Sequence, residues 1–176
     1  MSSLYLAVEF NAETIQKLTY KQHLLKSQFE GEYEDPTRFH ITVCFLAKNE
    51  VNANTAILGM NLLRQIYTPQ KFTVVANCFR QFDQGVAWVG MDNTMPLYEL
   101  KYQIEDCMRR CNFPMVEDKF DGYIPHITMA YDFKGDTKSV VFGEPIQIEI
   151  DNISLWNAPK CNDVYIHNKL CDVKFK

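Results

Sequence analysis

Two stretches decide how this chain reads: Phe39-His40-Ile41-Thr42-Val43-Cys44-Phe45-Leu46 and Ile124-Pro125-His126-Ile127-Thr128-Met129-Ala130-Tyr131. Each is an apolar run of strand length that carries one copy of His-Ile-Thr. Side chains of an extended strand alternate between faces. His40 and Thr42 are therefore expected on one face, with Phe39, Ile41, Val43 and Phe45 on the other. The same alternation puts His126, Thr128 and Ala130 together, opposite Ile127, Met129 and Tyr131. Each strand would bury one face and offer an imidazole and a hydroxyl on the other. The two copies stand nearly half a chain apart, so a two-lobed fold can set them side by side across a cleft.

Two imidazoles and two hydroxyls around one point suit proton transfer at a phosphate. An unperturbed histidine titrates near pH 6.5, so one can act as base while the other acts as acid. The base takes a proton from an attacking hydroxyl or water, and the acid protonates the departing oxygen. Thr42 and Thr128 can hydrogen-bond the non-bridging oxygens, whose charge changes in the transition state. Neither a metal nor another cofactor is required by this scheme.

With these residues the chain resembles the 2H phosphoesterase superfamily, whose signature is two His-x-Thr/Ser motifs flanked by hydrophobic residues. The segment from His40 to Leu46 is similar to the first motif. Pro125 to Ala130 is similar to the second, including the proline before the histidine. Between them, Val86 to Met91 and the helical stretch Pro96 to Cys111 resemble the central strand and helix, and Ile148 to Trp156 and Val164 to Leu170 resemble the closing strands. The resemblance spans most of the chain. It implies a bilobal α+β fold, two antiparallel sheets lining a central cleft with helices on the outer faces, and catalytic roles for His40, Thr42, His126 and Thr128.

Composition fits one compact two-lobed domain over residues 1–176. The chain is 47% hydrophobic, and its 7 Gly and 7 Pro form no linker-like stretch. Its opening Met1-Ser-Ser-Leu-Tyr-Leu-Ala-Val-Glu-Phe10 reads as a first strand without a basic leader. No run approaches the ~20 apolar residues that span a bilayer, so a soluble, cytoplasmic protein is expected, with no membrane partner. The six cysteines contain no Cys-x-x-Cys pair and match no common zinc spacing, so free thiols are expected. A net charge of −4 opposes binding to long nucleic acid, which relies on many Lys and Arg contacts to phosphates. A small nucleotide or short oligonucleotide is the expected partner. Arg38, Lys48 and Lys160 lie near the motifs; any one could contact a phosphate, although a solvated surface cation is the expected role for each.

Along the chain, Leu4 to Phe10 alternates as a strand, and Asn11 can cap a helix from Ala12 to about Phe29. The acidic stretch Glu30 to Asp35 is expected to be a loop. A helix from about Val51 to Tyr67 and strands Lys71 to Phe82 and Val86 to Met91 follow, with Asp83-Gln84-Gly85 as the hairpin turn. Leu97, Leu100, Ile104 and Met108 form the buried face of a helix from Met95 to Cys111. Val116 to Tyr123 is expected to be a loop, and Ser139 to Phe142, Ile146 to Trp156 and Val164 to Leu170 to be strands. The class is α+β, with helices outside two small sheets.

Tyr5, opposite Leu4, Leu6 and Val8 on its strand, can project into a cleft, and Trp156 borders the site by the family resemblance. Both are candidates to stack on a nucleobase, with core packing as the competing role; Tyr123 has a similar status. His23 and His167 are expected to be surface or satisfied structural histidines. The mechanism admits several substrates, because the nucleophile can be water or a neighbouring ribose hydroxyl. The short, acidic chain is more similar to compact viral and phage members of the family than to a tRNA-processing enzyme. The resemblance thus implies a phosphodiesterase of small signalling nucleotides, cyclic oligonucleotides or 2′-5′ oligoadenylates, that blunts nucleotide-based immunity. The alternatives are an RNA 2′,3′-cyclic phosphodiesterase or 2′-5′ RNA ligase, and a non-catalytic nucleotide-binding module.

Overall fold

A computed structural model describes residues 2–48, 53–114, 122–162 and 164–176, with the side chains of 2, 47, 48 and 164 excluded. The side chain of Lys48, the start of the expected helix at 51–52 and most of the loop before the second motif lie outside the described residues. Ten strands build two five-stranded sheets. The first contains β1 (Ser2–Glu9), β3 (His40–Lys48), β8 (Asn152–Cys161) and β10 (Asn168–Lys174) in the order β10-β8-β1-β3, with β9 (Val164–Tyr165) paired to β8. The second contains β2 (Glu30–Tyr33), β4 (Phe72–Phe82), β5 (Val86–Asp92), β6 (Ile127–Lys134) and β7 (Ile146–Ile150) in the order β2-β6-β5-β4-β7. Every pairing is antiparallel.

Helix α1 (Ala12–Lys26) packs across β2 and β7 of the second sheet, whereas α2 (Ala53–Leu62) lies against β8 and β10, and α3 (Met95–Arg110) against β3, of the first. Asn11 caps α1, its side chain accepting from the Thr14 amide at 2.8 Å. The stripe Leu97, Leu100, Ile104 and Met108 is buried as its spacing requires. On the sheets, Leu6, Ile41, Leu155 and Ile127 are fully buried on the helix-facing sides. Each such side chain contributes about 1.5–3 kcal/mol through apolar burial.

Several expected boundaries move. The helix expected to reach Phe29 ends at Lys26, and the acidic stretch expected as a loop contains β2, an edge strand whose Tyr33 pairs with Ala130. Edge strands tolerate charge because one side faces solvent. The helix ending at Tyr67 finishes as a π-helical turn, Leu63–Tyr67. The expected strand at Ser139 to Phe142 is instead a 3-10 turn, Thr137–Ser139, followed by irregular chain. The run from Ile146 to Trp156 is two strands in different sheets, separated by Asp151 alone. At that crossing Asn152 is buried, its amide exchanging hydrogen bonds with the Glu9 backbone at 3.4 and 3.3 Å. Val164 to Leu170 likewise splits into β9 and the start of β10, leaving His167 between them.

The alternation expected for the motif strands also fails, in both copies and at the same place. Along β3 the partners step from Ala7↔Thr42 to Leu6↔Cys44, so Val43 is an extra residue. Along β6 they step from Trp88↔Thr128 to Ala87↔Ala130, so Met129 is extra. A β-bulge adds one residue and thereby reverses which face the following side chains occupy. Val43 and Cys44 are both buried, as are Met129 and Ala130, and the next residue returns to the His/Thr face. Phe45 and Tyr131, expected on the buried faces, are 55% and 45% exposed.

Candidate active site

Strands β3 and β6 touch across the junction of the sheets, which brings the two His-x-Thr motifs to one cleft. Each histidine is oriented by the same device. The Nδ1 of His40 lies 2.8 Å from the Arg38 carbonyl oxygen, and that of His126 lies 2.8 Å from the Ile124 carbonyl oxygen. A carbonyl can only accept, so Nδ1 carries the hydrogen in both rings and Nε2 is left with its lone pair. The Nε2 of His40 lies 3.1 Å from the Thr42 hydroxyl. The His126 ring is wedged edge-on against Phe82 and Trp88, with centroids at 5.1 and 5.7 Å.

Burial pushes both imidazoles below the ordinary histidine range, because desolvation penalises the cation. For His40 the bond to the Arg38 carbonyl and the charge of Glu34 oppose that fall, and the Arg38 cation adds to it. For His126 the bond to the Ile124 carbonyl opposes it, and the neighbouring His40 adds to it. Both rings therefore favour the neutral form at pH 7, and the two are close enough to feel each other's charge.

Tyr5 and Trp156 are cross-strand partners on β1 and β8. Their rings are nearly parallel, 11° between planes and 6.5 Å between centroids. Tyr5 is 7% exposed and packs with Ala7 and Ala158, while Trp156 is only half-buried and carries Lys169 Nζ 5.3 Å from its ring. Burial pushes the Tyr5 phenol up to about 12, so it stays protonated and can donate. Tyr123 is half-buried and packs on the core and on Tyr98, away from this face. His23 is exposed on α1.

Four further residues belong to the cleft. Phe45, opposite Tyr5, has its ring 6.1 Å from it. Tyr131, its counterpart on the other motif strand, lies within hydrogen-bonding reach of Thr128. Both were hidden by the bulges. Arg38, expected as a solvated cation, and His167, expected as a structural histidine, contact each other beside His40. No short motif marks either one. Lys160 is exposed. None of the six cysteines forms a disulfide. Among the described residues, no three His, Cys, Asp or Glu side chains are grouped to hold a metal ion, and no helix is long and apolar enough to cross a membrane.

No family model matches this chain, and no curated protein matches it. Solved structures do. Escherichia coli LigT in apo form superposes with a TM-score of 0.75 at 19% identity, covering 99% of this chain and 97% of its own. TT0787 of Thermus thermophilus gives a TM-score of 0.75 at 14% identity over 98% and 97% of the two chains. The MHV ns2 PDE domain gives 0.56 at 11% identity over 85% of this chain and 99% of its own. The chain therefore has the LigT-like 2H phosphoesterase fold, as its sequence motifs imply.

Proposed function

We propose that this chain is a metal-independent 2H phosphodiesterase, acting as a single two-lobed domain on small nucleotides or short oligonucleotides. The observation that carries the reading is the paired histidine device: both Nδ1–H groups are held by backbone carbonyls, so both Nε2 atoms are available for proton transfer, that of His40 beside the Thr42 hydroxyl. One neutral imidazole takes the proton of the attacking water or ribose hydroxyl as its oxygen bonds to phosphorus. The other, protonated, delivers its Nε2–H to the leaving oxygen as the old P–O bond breaks. Thr42 and Thr128 donate to the non-bridging oxygens as charge builds there. The near-equivalence of the two motifs lets either histidine serve as base, according to how the substrate lies.

LigT has been crystallised with 3′-AMP, with ATP and with phosphate, ligands consistent with a nucleotide in a cleft of this shape. Phe45 beside the first motif and Tyr131 beside the second offer an aromatic ring on each side of the phosphate position, with Tyr5 and Trp156 continuing the first. An arrangement with rings on both sides favours a diester flanked by two nucleosides over a terminal cyclic phosphate. The substrate class we assign is therefore a small signalling nucleotide, a cyclic oligonucleotide or a 2′-5′ oligoadenylate. By analogy with the compact viral relatives of this fold, degrading it would antagonise nucleotide-based immunity.

Chromatography of a nucleotide panel after incubation in EDTA tests this, with the His40→Ala/His126→Ala protein as control. The panel holds cyclic di- and trinucleotides, 2′-5′ oligoadenylate and an RNA ending in a 2′,3′-cyclic phosphate. Cleavage of the first two classes by wild type alone is the expected result. Turnover confined to the RNA end would move the chain to RNA processing, and binding without turnover would make it a nucleotide-binding module.

A further inference from the structure

Arg38, His167 and Tyr5 form a chain of contacts beside His40 that neither proton transfer uses. The Arg38 Nη2 lies 2.7 Å from His167 Nε2. A guanidinium has no acceptor, so the imidazole accepts at Nε2. Its Nδ1 then carries the hydrogen and donates to the Tyr5 hydroxyl oxygen at 2.8 Å. Both nitrogens of His167 are thus committed, and its ring stands edge-on to Tyr5 with centroids 6.0 Å apart. Arg38 has a second tether, its Nε lying 3.6 Å from a Glu34 carboxylate oxygen. Its backbone carbonyl meanwhile accepts from the Nδ1–H of His40. One residue therefore sets the tautomer of His40 with its main chain and extends a cation with its side chain. That cation acts on Tyr5 and His40 of the first sheet, on His167 between β9 and β10 and on Tyr131 of the second sheet, so it stands where the lobes meet.

We propose that His167 is a positioning residue: it holds the Arg38 guanidinium at the cleft so that the remaining N–H groups bind the substrate phosphate. The proposal rests on the phosphodiesterase reading and adds to it the residue pair that grips the anion. Nearly half of the Arg38 side chain, 49%, remains exposed, so N–H donors beyond those directed at His167 and Glu34 can reach a ligand. An untethered surface arginine gains little from ion pairing, because ordering its long side chain opposes the Coulomb term. A guanidinium already held by a neutral acceptor loses less freedom when it meets a phosphate, which it can bind bidentately. His167 suits this role because its neutral ring takes one N–H of Arg38 without cancelling the positive charge.

Titration of the whole chain with inorganic phosphate tests the pair, alongside kcat and KM for any panel nucleotide that wild type cleaves. The proteins compared are wild type, Arg38→Ala, His167→Ala, His167→Gln and the double alanine variant. His167→Ala is expected to weaken phosphate binding about three- to tenfold, the range of an ordinary net hydrogen bond. His167→Gln, whose Oε1 can accept from Arg38, should restore most of that loss. The double variant should bind no more weakly than Arg38→Ala alone, since His167 acts through Arg38. Wild-type affinity in His167→Ala, multiplying losses in the double variant, or wild type that binds no phosphate would each overturn the proposal. A fall in melting temperature with unchanged phosphate affinity would also overturn it, leaving His167 a packing residue. The titration does not depend on turnover. Non-additive phosphate binding without nucleotide cleavage would defeat the phosphodiesterase reading alone, and cleavage with a flat cycle would defeat this inference alone.

Discussion

Leu155 and Trp156 are neighbours on β8 that face opposite ways, and truncating each in turn separates the core from the cleft. Leu155 is fully buried and Trp156 half-buried, its ring stacked beside Tyr5. Base stacking on an aromatic side chain contributes about 1–3 kcal/mol. Part of the Trp156 ring already meets Tyr5 and Lys169, which places the expected loss at about 1–2 kcal/mol, or about 5- to 30-fold in Kd. Trp156→Ala should therefore weaken binding of 3′-AMP by that factor in calorimetric titration while leaving inorganic phosphate unaffected, because phosphate makes no stack. Its cost in stability should be about 1–2 kcal/mol, below that of a fully buried aromatic ring. Leu155→Ala should show the reverse: a loss of about 2–5 kcal/mol in urea unfolding and unchanged affinity in the folded protein. If Trp156→Ala bound 3′-AMP within twofold of wild type, the reasoning that makes this face a base platform would be refuted.

His40→Ala and His126→Ala should each lower turnover by about 10²- to 10⁴-fold, the span of general acid–base contributions, with melting temperatures within about 4 °C of wild type; unfolding of both would remove the catalytic interpretation. Burial lowers both imidazoles, so the neutral base persists to lower pH and the protonated acid is lost at lower pH. The bell for kcat/KM should therefore peak below about pH 6.5, and an optimum above neutrality would contradict the assignment. The same shifts make the folded state bind protons less readily than the unfolded chain, so stability should fall as pH drops below about 6.5 until the folded values are reached; a flat denaturation midpoint across that range would count against it. Gly135→Ala would push a Cβ into the Phe29 ring, which already packs edge-on against Phe133 at 5.4 Å. A loss of about 1–3 kcal/mol is expected from such overpacking, measured by chemical denaturation.

What could be read in advance was whatever depends on neighbours in sequence. The stripe of α3, the Asn11 cap and the Asp83-Gln84-Gly85 turn are local signals, and the structure bears them out, with Gly85 at φ 77° in the hairpin. The two motifs were also visible, because each is a short string on its own strand. What escaped depends on distant partners. The strand Glu30–Tyr33 alternates Glu with Gly31 and Tyr33, and acquires its conformation from β6. The split at Asp151 has no Gly or Pro to mark it. The bulges at Val43 and Met129 exist only in register with β1 and β5, so alternation sent Phe45 and Tyr131 to the wrong face. His167 meets Arg38 across 129 positions and Tyr5 across 162, distances at which composition carries no signal.

The order of strands in the first sheet has a consequence for biogenesis. Strand β1, near the start of the chain, lies between β3 and β8, and β8 in turn pairs with β10, near the end. During synthesis the first histidine motif is made well before β8, so β1 lacks one neighbour until β8 follows, and His167 is translated later still. Local helices can form on the ribosome at once, whereas this sheet waits on contacts of large sequence separation, which close slowly. Nascent chains should thus carry the first imidazole without the second strand flanking β1, and the cleft becomes complete only once β8 and His167 have been made.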